Sequence, residues 1–389
     1  MVEAVDALVI GSGPAGLMAA ENLAMRNRRV VIAEAKPSIG RKFLMAGKSG
    51  LNITKSEDPA RFKAAFACPQ IAHMVDSFGP DAAIQWAERL GQDTFVGSTG
   101  RVFPKTMKAS PLLRAWAGRL SELGIDIRTR WRWNGWDNAT VRFQTPDGLK
   151  SLSPKVTVLA CGGASWARLG SDGAWAETLR GHGIATEPFA PANAGIAVEW
   201  SPHMDRHFGE PVKATLLRAG RSYSRGEFAL STRGLEGGGI YEVGRAVREG
   251  APLTLDLLPH KSDEAVQRAM ADPTRESLSN RLRKRLGLTP VKQALLREFA
   301  SSLEPAELAK TIKALPIAHQ GLRPLDEAIS TAGGIAWDAL DEDLMLKDRP
   351  GTFACGEMLD WEAPTGGYLI TGCLATGMWA GVHAAHWSK

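Results

Sequence analysis

The sequence has little cysteine: Cys68, Cys161, Cys355 and Cys373 are the four in 389 residues. No two of them form C-x-x-C, so the redox-active dithiol of disulfide reductases is excluded. Four scattered cysteines in so long a chain make no secreted disulfide framework either. No apolar stretch reaches the roughly 18 residues of a membrane-spanning helix. The first apolar run has no basic segment before it and is broken by Gly11 and Gly13. It therefore reads as a buried strand and not as a signal peptide, and a cytoplasmic location is expected. There is no internal repeat, no low-complexity tract and no cluster with metal-ligand spacing, so no metal is expected. Strong charge of one sign is also missing. Lys+Arg 47 against Asp+Glu 42 gives a net +5, which permits a nucleic-acid partner without demanding one.

What is present begins with "VIGSGPAGLMAAENLAMRNRRVVIAEA", from Val9 to Ala35. Gly11, Gly13 and Gly16 fit G-x-G-x-x-G. The apolar run Asp6–Ile10 suits a buried parallel strand. Pro14–Arg26 places Leu17, Ala20, Leu23 and Ala24 on one helical face, and Arg29–Ala35 reads as a second strand. In such a βαβ unit the glycines serve a tight turn, close approach to a pyrophosphate and close helix–strand packing. Pro14 and Ala15 open the helix, whose free N–H groups face the anion. Glu34 ends the second strand, beside Ala35. An acid there suits ribose hydroxyls and disfavours a 2′-phosphate. A dinucleotide site is the reading, and which dinucleotide is the next question.

Further along, Pro59–Phe66, Asp81–Leu90, Leu112–Leu123 and Asp172–Gly183 read as helices, and "IDIRTRWRW" and "ATVRFQT" as strands. Lys155–Ser165, "KVTVLACGGAS", is another strand running into glycines, with Ala160 and Gly162 at its end. Short alternating runs with few helical stretches follow from about Pro188 to Pro259. Ser262–Leu315 is helical and charged. After Ile335, "GTFACGEMLD" repeats the strand-then-glycine pattern, and "APTGGYLITGCLATGMWAGVHAA" supplies a glycine turn and a helix.

This C-terminal strand, acid and helix resemble the glutathione-reductase-like class of FAD flavoproteins. The resemblance implies that Gly356 and Glu357 of "CGE" stand where that class has the acid that binds the ribityl chain. The helix after Gly366–Gly367–Tyr368–Leu369 would point its positive end at the flavin, where it stabilises the reduced form. The chain also resembles a narrower family, the BaiN/RdsA-type NAD(P)/FAD-dependent oxidoreductases. The carriers are "GRKFLMAGKSGLNITKSE" (40–57), "GRVFPKTMKASPLL" (100–113) and "LDWEAPTGGYLITGCLATG" (359–377). Two departures mark a divergent branch: Arg and Cys of the family's "RCN" are absent around Lys48–Asn52, and Leu369 replaces the Asn of "GGYN".

The expected fold is therefore α/β: an FAD-binding Rossmann-like domain (1–188 and 325–389), a β-rich insert (189–261 and 313–324) and a helical subdomain (262–312). Cofactor candidates are Gly11, Gly13, Pro14, Ala15, Gly16, Glu34, Ala35, Arg41, Lys42, Ala160, Gly162, Gly356, Glu357, Gly366, Gly367, Tyr368 and Leu369. Candidates beside the reacting ring are Lys48, Asn52 and Tyr368. No second G-x-G-x-x-G follows a strand, so NAD(P)H is expected as a transient electron donor without its own domain. Cys161 and Cys355 are read as packing residues, and His319 as structural.

From Arg101 to Arg132 lie Arg101, Lys105, Lys108, Arg114, Arg119, Arg128, Arg130 and Arg132 against Glu122 and Asp126. This stretch and Arg281–Arg285 suit phosphate contacts, and equally suit ordinary solvated faces. Trp131, Trp133 and Trp136 suit either base stacking or packing. Three readings stay open. One is an FAD-dependent reductase of RNA, with uridine in ribosomal RNA as the substrate the family resemblance implies. The second is a reductase of a small unsaturated molecule. The third is a flavin-holding binding protein with little turnover.

Overall fold

The computed structural model describes residues 2–47, 50–271, 276–300 and 305–388. They divide into two compact units, Met1–Ala190 with Ser330–Lys389, and Pro191–Ile329. The expected Rossmann-type α/β fold is borne out.

The first unit is built on a seven-stranded sheet. Asp126–Thr129, Val30–Glu34, Glu3–Ile10 and Gly148–Leu159 lie side by side and parallel. Val9 faces Ile32 on one side and Val158 on the other. Ala7, Leu8, Val9, Ile32 and Val158 are fully buried, which is why these strands read as continuous apolar runs instead of alternating ones. The strand Gly148–Leu159 begins earlier than the apolar pattern suggested. Its first half pairs antiparallel with Thr140–Thr145 in a hairpin extension, and its last residues pair with Thr352–Ala354. The ends of Glu3–Ile10, Gly148–Leu159 and Thr352–Ala354 therefore meet at one edge, the place where a parallel sheet binds ligands.

Helix Pro14–Ala24 starts directly after Gly13 with proline at its first position, where the missing N–H costs nothing. The C-terminal helix, Tyr368–His386, lies against it. A Cβ on Gly377 would stand 2.3 Å from the Ala15 carbonyl oxygen, and one on Gly381 2.6 Å from that of Ala19. Glycines one turn apart thus let the two helices touch backbone to backbone. Among the described residues no helix is long and apolar enough to cross a membrane.

The second unit has two four-stranded antiparallel sheets and the helices Asp263–Ala271, Leu278–Lys284, Pro290–Ala300 and Pro305–Lys313. It also holds a helix, Gly238–Arg248, inside the stretch read as strands and glycines. The glycines of "EGGGIYEVG" hide it, since glycine lowers helix propensity. Three of the four sit at its start, however, with Gly239 against the Gly226 backbone. Ile240, Val243 and Val247 then form a buried face at helical spacing.

Candidate flavin site

The glycine turn after the first strand divides its work among three residues. Gly11 has φ +103°, and a Cβ there would stand 2.2 Å from the Ala160 carbonyl oxygen. Gly16 is closed in the same way, with its Cβ position 2.1 Å from the Gly11 oxygen. Gly13 differs: nothing lies within 4 Å of its Cβ position, and its backbone is extended at the head of a helix with no side-chain cap. One glycine turns the chain, one lets helix and strand touch, and the middle one leaves open space above free N–H groups. That geometry fits a pyrophosphate.

Glu34 lies next to this turn. Its Oε2 accepts from the Ser12 amide at 3.1 Å and from the Ser12 hydroxyl, and its Oε1 accepts from the Lys36 amide at 2.7 Å. The carboxylate is held in place by its own loop and keeps lone pairs for further donors. Pro14, Glu34 and Ala35 are partly exposed and Ala15 is buried.

A second group gathers where the strand ends meet. Gly356 has φ +75°, and its Cβ position lies 2.6 Å from Ala15 Cβ. Its neighbour Glu357 is half-enclosed and fully engaged. Lys42 Nζ donates to Glu357 Oε2 at 2.7 Å, the Thr331 amide donates to Oε1 at 3.0 Å, and Lys42 also donates to Ser165 Oγ at 2.8 Å. The expected ribityl acid is therefore one half of an ion pair. Ser165 ends the segment "KVTVLACGGAS" without having been assigned a role, and Thr331 went unnoticed; the "STAGG" run at 330–334, a strand ending in glycines, was the signal for Thr331. Ala160 is buried beside Gly11 and Gly16, and the Gly162 oxygen accepts from Trp175 Nε1 at 2.8 Å.

The third group is at the head of the C-terminal helix. Gly366 and Gly367 have φ +119° and +98°, and a Cβ on Gly367 would stand 2.4 Å from Thr54 Cα. The helix has no side-chain cap. Tyr368 is buried against Phe62 and Phe66. Its hydroxyl donates to Glu57 Oε1 and accepts from Lys55 Nζ, 3.1 Å away. Lys55 in turn pairs with Glu57 at 2.9 Å. Lys55 and Glu57 were inside the quoted family segment but were not singled out. Asn52 lies between Leu51 and Ile53, whose amides are fixed to the Met107 and Val102 oxygens. Leu369 is partly buried against the core. Lys48 lies outside the described residues.

Asn52 Oδ1, Arg41 Nε and Ser171 Oγ are buried without a hydrogen-bond partner. Buried polar atoms are nearly always satisfied, so these orphans in the first unit fit a polar ligand such as FAD. Desolvation raises the nearby thiols, Cys161 and Cys373 to about 12 and Cys355 well above its ordinary value. Burial lowers His319, whose Nδ1 accepts from the Gly321 amide. Among the described residues no group of His, Cys, Asp and Glu suits a metal.

Half of the cations from Arg101 to Arg132 are ion-paired. Lys105, Arg119 and Arg132 pair with Asp93, Glu21 and Asp172, and Arg128 with Asp126 and Glu3. Arg285 and Lys284 share Glu276. Trp136 is buried, while Trp131 and Trp133 pack on Phe143 and on Trp136.

The model of the HI0933-like protein Rossmann domain matches residues 5–383. A 3-dehydro-bile acid delta(4,6)-reductase of Clostridium scindens is 25% identical, covering 97% of this chain and 98% of its own. A ribosomal RNA dihydrouridine synthase of Haemophilus influenzae is 23% identical, covering 93% and 94%. Among solved structures, a 3-ketosteroid delta1-dehydrogenase from Sterolibacterium denitrificans has a TM-score of 0.53 at 13% identity, covering 99% of this chain and 100% of that one. A 3-ketosteroid-delta4-(5alpha)-dehydrogenase from Rhodococcus jostii has 0.52 at 14%, covering 99% and 97%. At such identities these structures speak for the fold. The chain belongs to the HI0933-like Rossmann family, a family of FAD-dependent oxidoreductases.

Proposed function

We propose that this protein is a reductase that uses NAD(P)H and FAD to saturate an electron-poor double bond of a small unsaturated molecule. The observation that carries the reading is the open space at Gly13 above the free N–H groups of a helix start, together with the buried, unpartnered Asn52, Arg41 and Ser171 atoms of the same unit. FAD supplies hydride transfer when bound. Gly11, Gly13 and Gly16, with Pro14 and Ala15, form the pyrophosphate turn. Glu34 and Ala35 would face the ribose. Ala160, Gly162, Gly356 and the Lys42–Glu357 pair line the middle, with Arg41 beside them. The uncapped helix start at Gly366, Gly367, Tyr368 and Leu369 stabilises negative charge at the far end.

Asn52 orients the ring or the substrate through its free Oδ1. Tyr368 Oη holds a proton between Glu57 and Lys55, and a proton lost there is restored through that pair. Lys48 is a candidate by its position in the family segment alone. The activity of the Clostridium scindens relative, a 3-dehydro-bile acid delta(4,6)-reductase, supports a small unsaturated substrate. That of the Haemophilus influenzae relative supports a second reading, uridine in RNA.

The test is an absorbance spectrum of the purified protein, then anaerobic titration with NADH and NADPH. Flavin that bleaches and is reoxidised by an unsaturated ketone supports the proposal. Reoxidation by uridine-containing RNA alone selects the second reading. Bound flavin that neither pyridine nucleotide reduces removes the reductase assignment in favour of a flavin-holding protein.

A further inference from the structure

In the second unit, Leu216–Ala219, Ser222–Ser224, Leu253–Asp256 and Leu315–Pro316 form one antiparallel sheet. Leu217, Ala219, Leu253 and Leu255 are buried on one face. On the other, Arg218 stands opposite Tyr223 on one neighbouring strand and Thr254 on the other, and cross-strand partners share a face. Tyr223 is 66% exposed, a large aromatic ring held out to solvent.

A cavity of about 530 Å³ lies at this sheet, and its lining includes Arg218, Arg225, Lys310, Lys313, Asp256 and Asp263. Lys313 is already neutralised: its Nζ is 2.8 Å from Asp256 and donates to the Leu258 and Lys261 oxygens. Asp263 is 4.0 Å from the same ammonium. Arg218, Arg225 and Lys310 are exposed, and no hydrogen bond or ion pair of their side chains is seen among the described residues. An open cavity is left with surplus positive charge, and an aromatic face stands on the adjoining strand.

We propose that this face binds a nucleotide, with its phosphate among Arg218, Arg225 and Lys310 and its base against Tyr223. Guanidinium forks match phosphate oxygens, and an exposed ring on an open sheet is a stacking platform for bases. The cavity is in the size range of small-ligand sites. Free nucleotides and nucleotides within a single strand share this chemistry. The site is independent of the flavin assignment.

The test uses the full chain with its cofactor and two probes, a fluorescein-labelled single-stranded oligouridylate and AMP. Anisotropy should rise on oligonucleotide binding, and log K should fall with log salt with a slope of about −2 for three phosphate contacts. R218Q/R225Q should weaken binding at least roughly tenfold and flatten the slope. Y223A should weaken it several-fold with the slope unchanged. K150Q, at an exposed lysine of the first unit, should bind as wild type. All four side chains are exposed, and equal melting temperatures check that the variants fold. Displacement by AMP assigns the face to a free nucleotide, and oligonucleotide binding that AMP leaves intact assigns it to a strand. Binding of neither probe, or unchanged binding by R218Q/R225Q, overturns the proposal.

Discussion

Two glycine turns lead into two helices of the first unit, and they do different work. At Gly11–Gly16 the outer glycines are closed by neighbouring backbone while the middle one, Gly13, faces empty space. At Gly366–Gly367 the second glycine is closed against Thr54, and the next residue, Tyr368, has its hydroxyl engaged by Glu57 and Lys55. Composition alone makes the two alike. What separates them is where a Cβ would go: into solvent-sized space in one, into the chain's own backbone in the other. Under the proposed function Gly13 leaves room for the pyrophosphate, while Gly367 fixes the helix start that would face the flavin against the strand Thr54–Lys55.

The comparison can be broken most forcefully at Gly11. Gly11→Ala combines a positive φ with a Cβ 2.2 Å from a carbonyl oxygen, so it should cost about 3 kcal/mol or more and give little folded protein. Urea unfolding and soluble yield check this. Gly367→Ala should come next, at about 2–3 kcal/mol, since it too has positive φ and meets Thr54 backbone. The folded fraction should keep its FAD affinity within a few-fold, because the loss falls on chain packing. A selective loss of FAD affinity in Gly367→Ala would erase the distinction between the turns.

Lys42→Met is a smaller perturbation. It strips the cation from Glu357, which is partly enclosed, and should lower stability by about 1–2 kcal/mol. Glu357→Gln in the same background should recover part of it, as a double-mutant cycle reads directly. The thiols give the smallest effect near neutrality. With Cys161 and Cys373 pushed up to about 12, maleimide labelling of the folded protein should be slower by roughly a hundred-fold or more than in urea. A thiol raised on folding contributes its full stability below its unfolded value and loses it as pH climbs to the folded one. Thermal midpoints should therefore fall from about pH 9 upward.

The glycine turn was legible in sequence because its three glycines fall at fixed spacing within six residues between a strand and a helix, even though Gly11 is closed by the distant Ala160. The parallel strands were legible because burial on both faces leaves continuous apolar runs. Pairings across the chain were not legible. Lys42 meets Glu357 across 315 positions, and Tyr368 meets Glu57 across 311; nothing local marks either partnership. Charge counting also misled where it was local. The basic run from Arg101 to Arg132 looks like a patch, yet Arg119, Arg128 and Arg132 find Glu21, Glu3 and Asp172, acids that the fold brings to them. The helix Gly238–Arg248 was hidden for the opposite reason: its glycines lower helix propensity, and the packing of Ile240, Val243 and Val247 overrides it.

The most direct measurement is FAD titration of apoprotein, wild type beside Gly13→Ala, with melting temperature followed in parallel. Gly13 has ordinary φ and nothing within 4 Å of its Cβ position, so the chain itself accepts a methyl group. The account predicts an unchanged melting temperature without FAD and FAD affinity at least roughly tenfold weaker, because the methyl stands where the pyrophosphate approaches the backbone. Equal FAD affinity in the two proteins would contradict it.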